Sequence, residues 1–294
     1  MFFCQHNAKK GVHTMATNVN SQYFLDRFNE IFKDYCAEIG VCLPLNFEET
    51  FLAFSRDKFL PFENIPESAT KDTSVPLFLA LESIIDDPEY ALEVQKIALS
   101  SKTTPMRVLV DKEKSETRYC VPQTQPSTVL MMIALLNLGD GMESILEIGS
   151  GSGWVTAMLS KHCKKMYGAE VFDEISTFCR EKIEEFKCEN VEIHTVNKSQ
   201  VGLTELAPFE RIIVSCGMPY DRLKETLYQL AIGGVAVIPV SISTLPESLI
   251  NQIESAPNLE LLDENVCILM RITRISEDQV TAKLVTYCQF VPLL

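Results

Sequence analysis

The stretch Ile145-Leu146-Glu147-Ile148-Gly149-Ser150-Gly151-Ser152-Gly153-Trp154 joins an apolar run that ends in an acid to three glycines separated by serines. Apolar residues at helical spacing follow, from Val155 to Leu159. This order predicts a strand, a tight loop and a helix. Because glycine has no Cβ and tolerates positive φ, the loop can come within contact distance of a ligand. Free N–H groups at the start of the helix favour a polar or anionic group there. A plain glycine-rich turn is the alternative.

The spacing of the glycines separates this loop from two other nucleotide-binding loops. A dinucleotide-binding loop has the pattern G-x-G-x-x-G, and Trp154 stands where its third glycine would be. A P-loop needs a Lys-Ser/Thr pair, which this stretch lacks. The pattern G-x-G-x-G after a strand that ends in an acid is typical of S-adenosylmethionine-dependent methyltransferases of the doubly wound class.

A second acid supports a nucleotide-type ligand. Residues 166–171 predict the next strand, with Glu170 near its carboxyl end and 17 residues after Gly153. In doubly wound sheets, an acid about 20 residues after the glycine loop accepts a hydrogen bond from a ribose hydroxyl. The alternative is that Glu170 is a helix-start carboxylate for the segment 173–185.

The overall charge limits the class of partner. The chain of 294 residues has 40 acidic and 26 basic residues, a net charge of −14. Nucleic acids and anionic membranes both require basic surface, so neither is expected as the main partner, whereas a peptide is not excluded. The ten cysteines form no C-x-x-C pair and have no zinc spacing. We expect buried free thiols in a reducing cytosol, and no metal site.

The N-terminal part of the chain predicts mostly helices. Residues 1–19 lack acids and periodicity and predict a disordered tail. Apolar residues recur at helical spacing from Ser21 to Ile39, with Gly40 as the stop. Further helices are predicted at 47–54, 77–85 and 88–99, and a short strand pair at 106–110 and 116–121. We therefore expect a mainly helical N-terminal region at 20–122.

The remainder predicts an α/β fold. Pro126 follows an extended segment, and Ser127 is predicted to N-cap a helix at 128–136. A strand is expected at 190–196, and buried strands at 211–216 and 235–240. A helix is expected at 221–230, ended by Gly233 and Gly234 as its C-cap. Alternation at 266–275 and 281–290 predicts an antiparallel hairpin at the sheet edge. The expected fold is a doubly wound mixed sheet with a parallel core and a C-terminal antiparallel hairpin, over a domain at 123–294.

From about residue 120 to the end, the chain resembles the protein-L-isoaspartate O-methyltransferases. Five segments carry the resemblance: Gln123-Thr124-Gln125-Pro126, Leu146–Trp154, Ala169-Glu170, Gln229–Val240 and Phe290–Leu293. Upstream, Phe51–Pro61 is similar to the family's opening helix and R-x-x-F-x-P turn.

The resemblance implies a methyltransferase that uses S-adenosylmethionine and a peptide or protein substrate with a free carboxylate, as in the repair of isoaspartyl residues. Thr124 stands where the family has a serine that orients the accepting carboxylate, next to substrate-side Gln125 and Pro126. The resemblance also implies a set of cofactor-binding residues: Glu147, Gly149, Ser150, Gly151, Ser152, Gly153, Glu170, Val171 and Asn197. We further expect a cytoplasmic monomer that acts on neither nucleic acid nor membrane.

Three departures leave alternatives open. Asn197-Lys198-Ser199 aligns with the family's G-D-G, whose acid helps to bind adenine. The segment between Phe62 and Gln123 is longer than in repair enzymes, and Q-P-S at 125–127 is similar to relatives that methylate an aspartate in ribosomally made peptides. A methyltransferase dedicated to one peptide or protein is thus the second hypothesis. A non-catalytic scaffold that retains the fold is the third, with Lys198 as its main support.

Overall fold

The computed structural model describes residues 20–61, 67–77, 107–111, 116–119, 121–250 and 266–293. The α-helices in these ranges are α1 Ser21–Glu38, α2 Phe47–Ala53, α3 Pro126–Leu136, α4 Trp154–Leu159, α5 Asp173–Glu185, α6 Leu223–Tyr228 and α7 Glu247–Ile250. The strands are β1 Val75–Leu77, β2 Arg107–Asp111, β3 Glu116–Tyr119, β4 Val121–Gln123, β5 Met142–Ile148, β6 Cys163–Glu170, β7 Val191–Thr195, β8 Phe209–Val214, β9 Leu230–Ser241, β10 Val266–Arg274 and β11 Val280–Gln289.

Seven strands form the central sheet, in the order β11-β10-β9-β8-β5-β6-β7. The pairs β5–β6, β6–β7, β5–β8 and β8–β9 are parallel, whereas β10 is antiparallel to both β9 and β11. The predicted doubly wound mixed sheet with an antiparallel hairpin at one edge is confirmed. Strand order reverses at β5, and in such sheets ligands bind beyond the carboxyl ends of the strands at this point.

The alternation of side chains along β5 divides the core into two layers. Ile145 belongs to a cluster that includes residues of α1 to α4, and its neighbour Leu146 belongs to a second cluster with Val214 and Ala236. Helix α3 is buried at ten of its eleven residues because α1 covers it on one side and the sheet on the other. The N-terminal helices therefore extend the core of the sheet domain.

The predicted cap of α3 is wrong. The helix begins at Pro126 with Gln125 as its N-cap residue, so Ser127 lies inside the first turn. Proline is favoured at this first position because its missing N–H would be unpaired there. The Ser127 backbone N–H donates instead to Asp72 Oδ1, 2.9 Å away. The cap thus comes from a residue 55 positions earlier in the chain, which local sequence spacing could not indicate.

The predicted helix at 221–230 with a glycine C-cap is also wrong at its end. The α-helix ends at Tyr228, and β9 has begun by Leu230, so Gly233 and Gly234 lie within the strand. Gly233 has φ +81°, and the register with β8 shifts between Phe209 and Arg211. A glycine with positive φ is favoured both after a helix and in a β-bulge, so the same residue supported either interpretation.

Some N-terminal predictions are confirmed within the described residues, and one is wrong. Helices α1 and α2 lie at the expected positions, and Gly40 has φ +71°. β2 and β3 form the expected antiparallel pair, and β1 pairs with β4. Leu77 ends β1 rather than beginning a helix, and the rest of the two helices predicted between 77 and 99 lies outside the described residues, as does the tail 1–19. The division of the chain at 122/123 stays a prediction.

Candidate functional site

A cleft opens at the carboxyl ends of β5, β6 and β8, where the strand order reverses. Its free space, counted out to bulk solvent, is about 870 Å³. The described residues that line it come from six parts of the chain: Pro122–Thr124; Glu147–Ser152 with Trp154 and Val155; Ala169–Phe172; Val196, Gln200 and Gly202; Ser215 and Cys216; and Val291–Leu293. Ligand-binding clefts in proteins likewise combine apolar walls with a few polar groups.

The glycine loop crosses the floor of the cleft with positive φ at each glycine: +81° at Gly149, +52° at Gly151 and +81° at Gly153. The N–H groups of Gly149 and Ser150 donate to the Ala169 carbonyl at 2.8 and 3.2 Å, which fixes the loop against β6. A Cβ added at Gly151 would meet no atom within 4 Å, so its side of the loop is open. Gly153 instead packs against Cys179 of α5 and does not line the cleft.

Glu170 holds the backbone around the cleft. Its Oε2 accepts from the Gly151 N–H at 2.9 Å, and its Oε1 accepts from the N–H groups of Val171 and Phe172 at 2.9 and 3.2 Å. Burial raises the pKa of Glu170, and these backbone bonds oppose the rise. A carboxylate has about four acceptor positions, so one remains for a ligand hydroxyl. Its hydrogen bonds go to Gly151 and to residues that precede α5. This pattern does not fit the alternative in which Glu170 caps the first turn of that helix.

Glu147 is the second buried carboxyl of the cleft. It accepts hydrogen bonds from the hydroxyls of Thr156 and Ser215. Burial raises the pKa of Glu147 to about 8, although these two bonds and the backbone N–H of Thr156 act in the opposite direction. The charge of the nearby Glu170 contributes to the rise. Glu147 therefore carries a proton near neutral pH as long as no cation lies beside it.

Thr124 lies directly after β4, is half-buried and lines the cleft. The two residues that follow Thr124 do not line the cleft. The Gln125 amide donates to Asp72 Oδ2 at 3.2 Å and to Ser127 Oγ at 2.9 Å, and Pro126 is buried at the start of α3. Asn197 is exposed and does not line the cleft.

The structure thus gathers some of the predicted site residues and separates others. Residues in the cleft wall are Thr124, Glu147, Gly149, Ser150, Gly151, Ser152, Glu170 and Val171; residues outside it are Gly153, Gln125, Pro126 and Asn197.

Sequence reasoning missed several lining residues, including Phe172, Val196, Gln200 and Cys216. Val196 and Cys216 are the last residues of predicted strands, and Phe172 directly follows one; this position was the available signal. Burial raises the pKa of the Cys216 thiol, so this lining cysteine is a poor nucleophile. Within the described ranges, all eight cysteines are free and no group of side chains has the composition of a metal site. No described helix is both long and apolar enough to cross a membrane.

Comparison with known proteins identifies related sequences. The sequence model of the family described as protein-L-isoaspartate(D-aspartate) O-methyltransferase matches residues 113–245. A protein-L-isoaspartate O-methyltransferase of Geobacter metallireducens is 34% identical over 173 residues, which cover 58% of this chain and 68% of that protein. One of Magnetococcus marinus is 42% identical over 118 residues, 40% of this chain. The chain spans only 50% of the length of the Magnetococcus protein.

A solved structure of a protein-L-isoaspartate O-methyltransferase superposes with a TM-score of 0.58 at 17% identity, covering 91% of this chain and 65% of that one. At this identity the superposition supports the fold alone. The family assignment rests on the sequence relatives, such as the Geobacter protein, 68% of which this chain covers at 34% identity. On these grounds the chain belongs to the protein-L-isoaspartate O-methyltransferase family.

Proposed function

We propose that this protein is an S-adenosylmethionine-dependent carboxyl O-methyltransferase that acts on isoaspartyl or aspartyl residues of proteins or peptides. One observation carries the proposal: Thr124 lines the same cleft as the glycine loop and Glu170. A hydroxyl that orients an acceptor and a loop suited to a nucleoside donor therefore face one space. Membership of the family supports the same reaction, since its model is described by that activity.

The cleft walls fit the cofactor. The open side of Gly151 leaves room that any side chain would fill, and Glu170 retains one acceptor position. Residues 149–152 with Glu147 would hold the amino-acid part, and Glu170 with Val171 the ribose. When bound, S-adenosylmethionine supplies the methyl group from its sulfonium. Gln200 lines the cleft and offers an amide for the base, whereas Asn197, Gly153, Gln125 and Pro126 would contribute from outside the lining.

The residues of this chain mainly bind and orient. An aspartyl-type carboxyl has a pKa of about 3.9, so the acceptor is ionised at neutral pH and needs no general base. The Thr124 hydroxyl donates to one oxygen of that carboxylate and directs the other towards the donor. The β-branch of Thr124 restricts χ1, which keeps the hydroxyl in place. Correct positioning of reacting groups can supply ~7–11 kcal/mol of the barrier.

Exclusion of water favours the same reaction. Opposite charges cancel as the methyl group moves to a carboxylate, and water stabilises the separated charges best. Ile148, Val171 and the C-terminal residues Val291 and Leu293 give the cleft apolar walls. A dry cleft therefore lowers the barrier relative to bulk water.

The test is calorimetric titration with S-adenosylmethionine and S-adenosylhomocysteine, followed by transfer of a labelled methyl group to an isoaspartyl peptide. The matched control peptide has the same sequence with a normal aspartyl residue. Binding with transfer to the isoaspartyl peptide is the expected result. Binding without transfer to either peptide would favour the dedicated-peptide hypothesis, and the absence of binding would favour the scaffold hypothesis.

The position of Lys198 weakens the main argument for the scaffold hypothesis. Lys198 is exposed and does not line the cleft. Its charge therefore does not occupy the space that the base would need. A Lys198→Asp variant that binds the cofactor as tightly as the wild type would support this interpretation.

We place the protein in the cytoplasm as a monomer with a peptide or protein substrate. The free thiols among the described cysteines fit a reducing compartment, and the net charge of −14 fits neither nucleic acid nor anionic membrane as a partner. Fractionation of cells and sedimentation of the purified protein test these two assignments.

A further inference from the structure

We propose that Arg56 and Gln123 are positioning residues that hold Thr124 at a fixed distance from the glycine loop, an inference that rests on the proposed function. Neither side chain would need to touch the reacting atoms. Together they form a buried hydrogen-bond chain from the N-terminal segment, through the end of β4, to Ser152 of the cofactor-side loop.

The first link is the guanidinium of Arg56, which is 1% exposed. Its Nε donates to Gln123 Oε1 at 2.9 Å, its Nη2 to the Thr73 carbonyl at 2.6 Å, and its Nη1 to the Lys71 carbonyl at 3.2 Å. Longer contacts of 3.3 and 3.4 Å join Nη2 to the carbonyls of Gln123 and Thr124. One planar group thus ties the segment that carries Thr124 to the loop around Asp72.

The second link is the Gln123 amide, which is 5% exposed. A guanidinium has donors only, so the amide must turn its oxygen towards Arg56 and its NH2 group away. That NH2 group donates to Ser152 Oγ at 3.1 Å. Arg56 therefore fixes which end of Gln123 faces the glycine loop. Ser152, itself 3% exposed, lies between two of the glycines that shape this loop.

A third contact joins the same N-terminal segment to the helix after the glycine loop. Trp154 Nε1 donates to the Phe54 carbonyl at 2.8 Å, and the Arg56 guanidinium lies 6.0 Å from the centre of the Trp154 ring. The segment 54–56 therefore contacts both sides of the cleft: the acceptor side through Gln123, and the cofactor side directly through Trp154 and indirectly, by way of Gln123, through Ser152.

A purely structural role would also explain a buried and fully bonded arginine, so the test must separate the two roles. Gln123→Met preserves the length of the side chain but removes both polar links. Since a displacement of about 1 Å can cost about 100-fold in rate, we expect kcat to fall about 10- to 100-fold. The dissociation constant of S-adenosylmethionine, measured by the fluorescence of Trp154, the sole tryptophan, should change less than about threefold because Ala169 and Glu170 still anchor the loop.

The decisive measurement is a double-mutant cycle on kcat with Thr124→Val. If Gln123 acts through the Thr124 hydroxyl, Gln123→Met should lower kcat less than about threefold once that hydroxyl is gone. A purely structural role predicts that the two fold-changes multiply, and this result would overturn the inference. Urea denaturation of each variant shows that the measured protein is folded. Arg56→Lys, which retains the charge but not the fork, should behave as Gln123→Met does.

Arg211→Lys is the matched control for Arg56→Lys. Arg211 also donates to main-chain carbonyls, those of Leu136 and Asn137 at 2.7 and 3.0 Å, but it lies in β8 outside the cleft lining. The kcat of the Arg211→Lys variant should stay near that of the wild type. An equal loss of kcat in both lysine variants would overturn the inference. Failure of the wild type to methylate any carboxylate peptide would instead refute the proposed function.

Discussion

Replacing Gly153 by alanine should destabilise the protein through two separate effects. Gly153 has φ +81°, where an L-residue with a Cβ is strained. The added Cβ would also lie 2.7 Å from Cys179 Sγ and 3.6 Å from the Cys179 carbonyl oxygen. Cys179 is completely buried in α5, so its thiol has little free space in which to move away.

The magnitude follows from adding the two costs. The left-handed backbone conformation costs about 1–2 kcal/mol for a residue with a Cβ. Forcing an extra methyl group into a packed core costs about 1–3 kcal/mol. We therefore expect the free energy of unfolding to fall by about 2–5 kcal/mol, measured by urea denaturation at constant pH. A domain with a typical stability of about 5–15 kcal/mol would be weakened markedly by this loss.

Two further variants separate the contributions. Gly40→Ala introduces a Cβ at φ +71° with no atom within 4 Å, so it should cost about 1–2 kcal/mol from the backbone alone. Cys179→Ala in the Gly153→Ala background should recover about 1–3 kcal/mol in a double-mutant cycle. If Gly153→Ala costs no more than Gly40→Ala, the close packing of the loop against α5 does not matter and the reasoning is refuted.

Three other predictions concern the cleft. Thr124→Val should lower turnover about 10- to 100-fold through loss of the orienting hydroxyl, and loss of cofactor binding in this variant would exclude that role. Glu170→Ala should weaken cofactor binding, because it removes the ribose acceptor and frees the Gly151 N–H; an unchanged dissociation constant in calorimetry would reject this. For Glu147, folding raises the pKa from 4.5 to about 8. The folded state then binds the extra proton, so the contribution of Glu147 to stability is greatest below pH 4.5 and falls by at most about 1.4 kcal/mol per pH unit up to about pH 8. Glu147→Gln should flatten this slope in urea denaturation, and an unchanged slope would show that another group causes it.

Local patterns predicted much of the fold because they depend on neighbouring residues. Alternation of apolar residues identified β10 and β11, and helical spacing identified α1 and α2. The errors arose where one local signal fits two structures. The positive φ of Gly233 suits a bulge as well as a helix end, and Ser127 could cap a helix that Asp72 caps instead.

The residues of the candidate site also divide into those that local sequence patterns predicted and those that they did not. The glycine loop and Glu170 could be predicted because a ligand-binding loop and the strand beside it lie close in sequence. The partners of Arg56 could not, since Gln123 is 67 residues away and no periodicity connects the two. Asn197 lies next to the lining residue Val196 but is exposed, because the turn after β7 directs its side chain outwards and brings Gln200 to the cleft.

The sequence alone therefore determined the alternation of strands and helices, the glycine loop, the acid after the next strand and the family resemblance. These depend on backbone preferences and on the spacing of side chains within a few residues. Only the tertiary structure decided that Thr124 and the glycine loop line one cleft and that Arg56 and Gln123 connect their segments by hydrogen bonds. Such contacts depend on how the sheet and its covering segments pack, and packing is set by the whole core rather than by any single stretch.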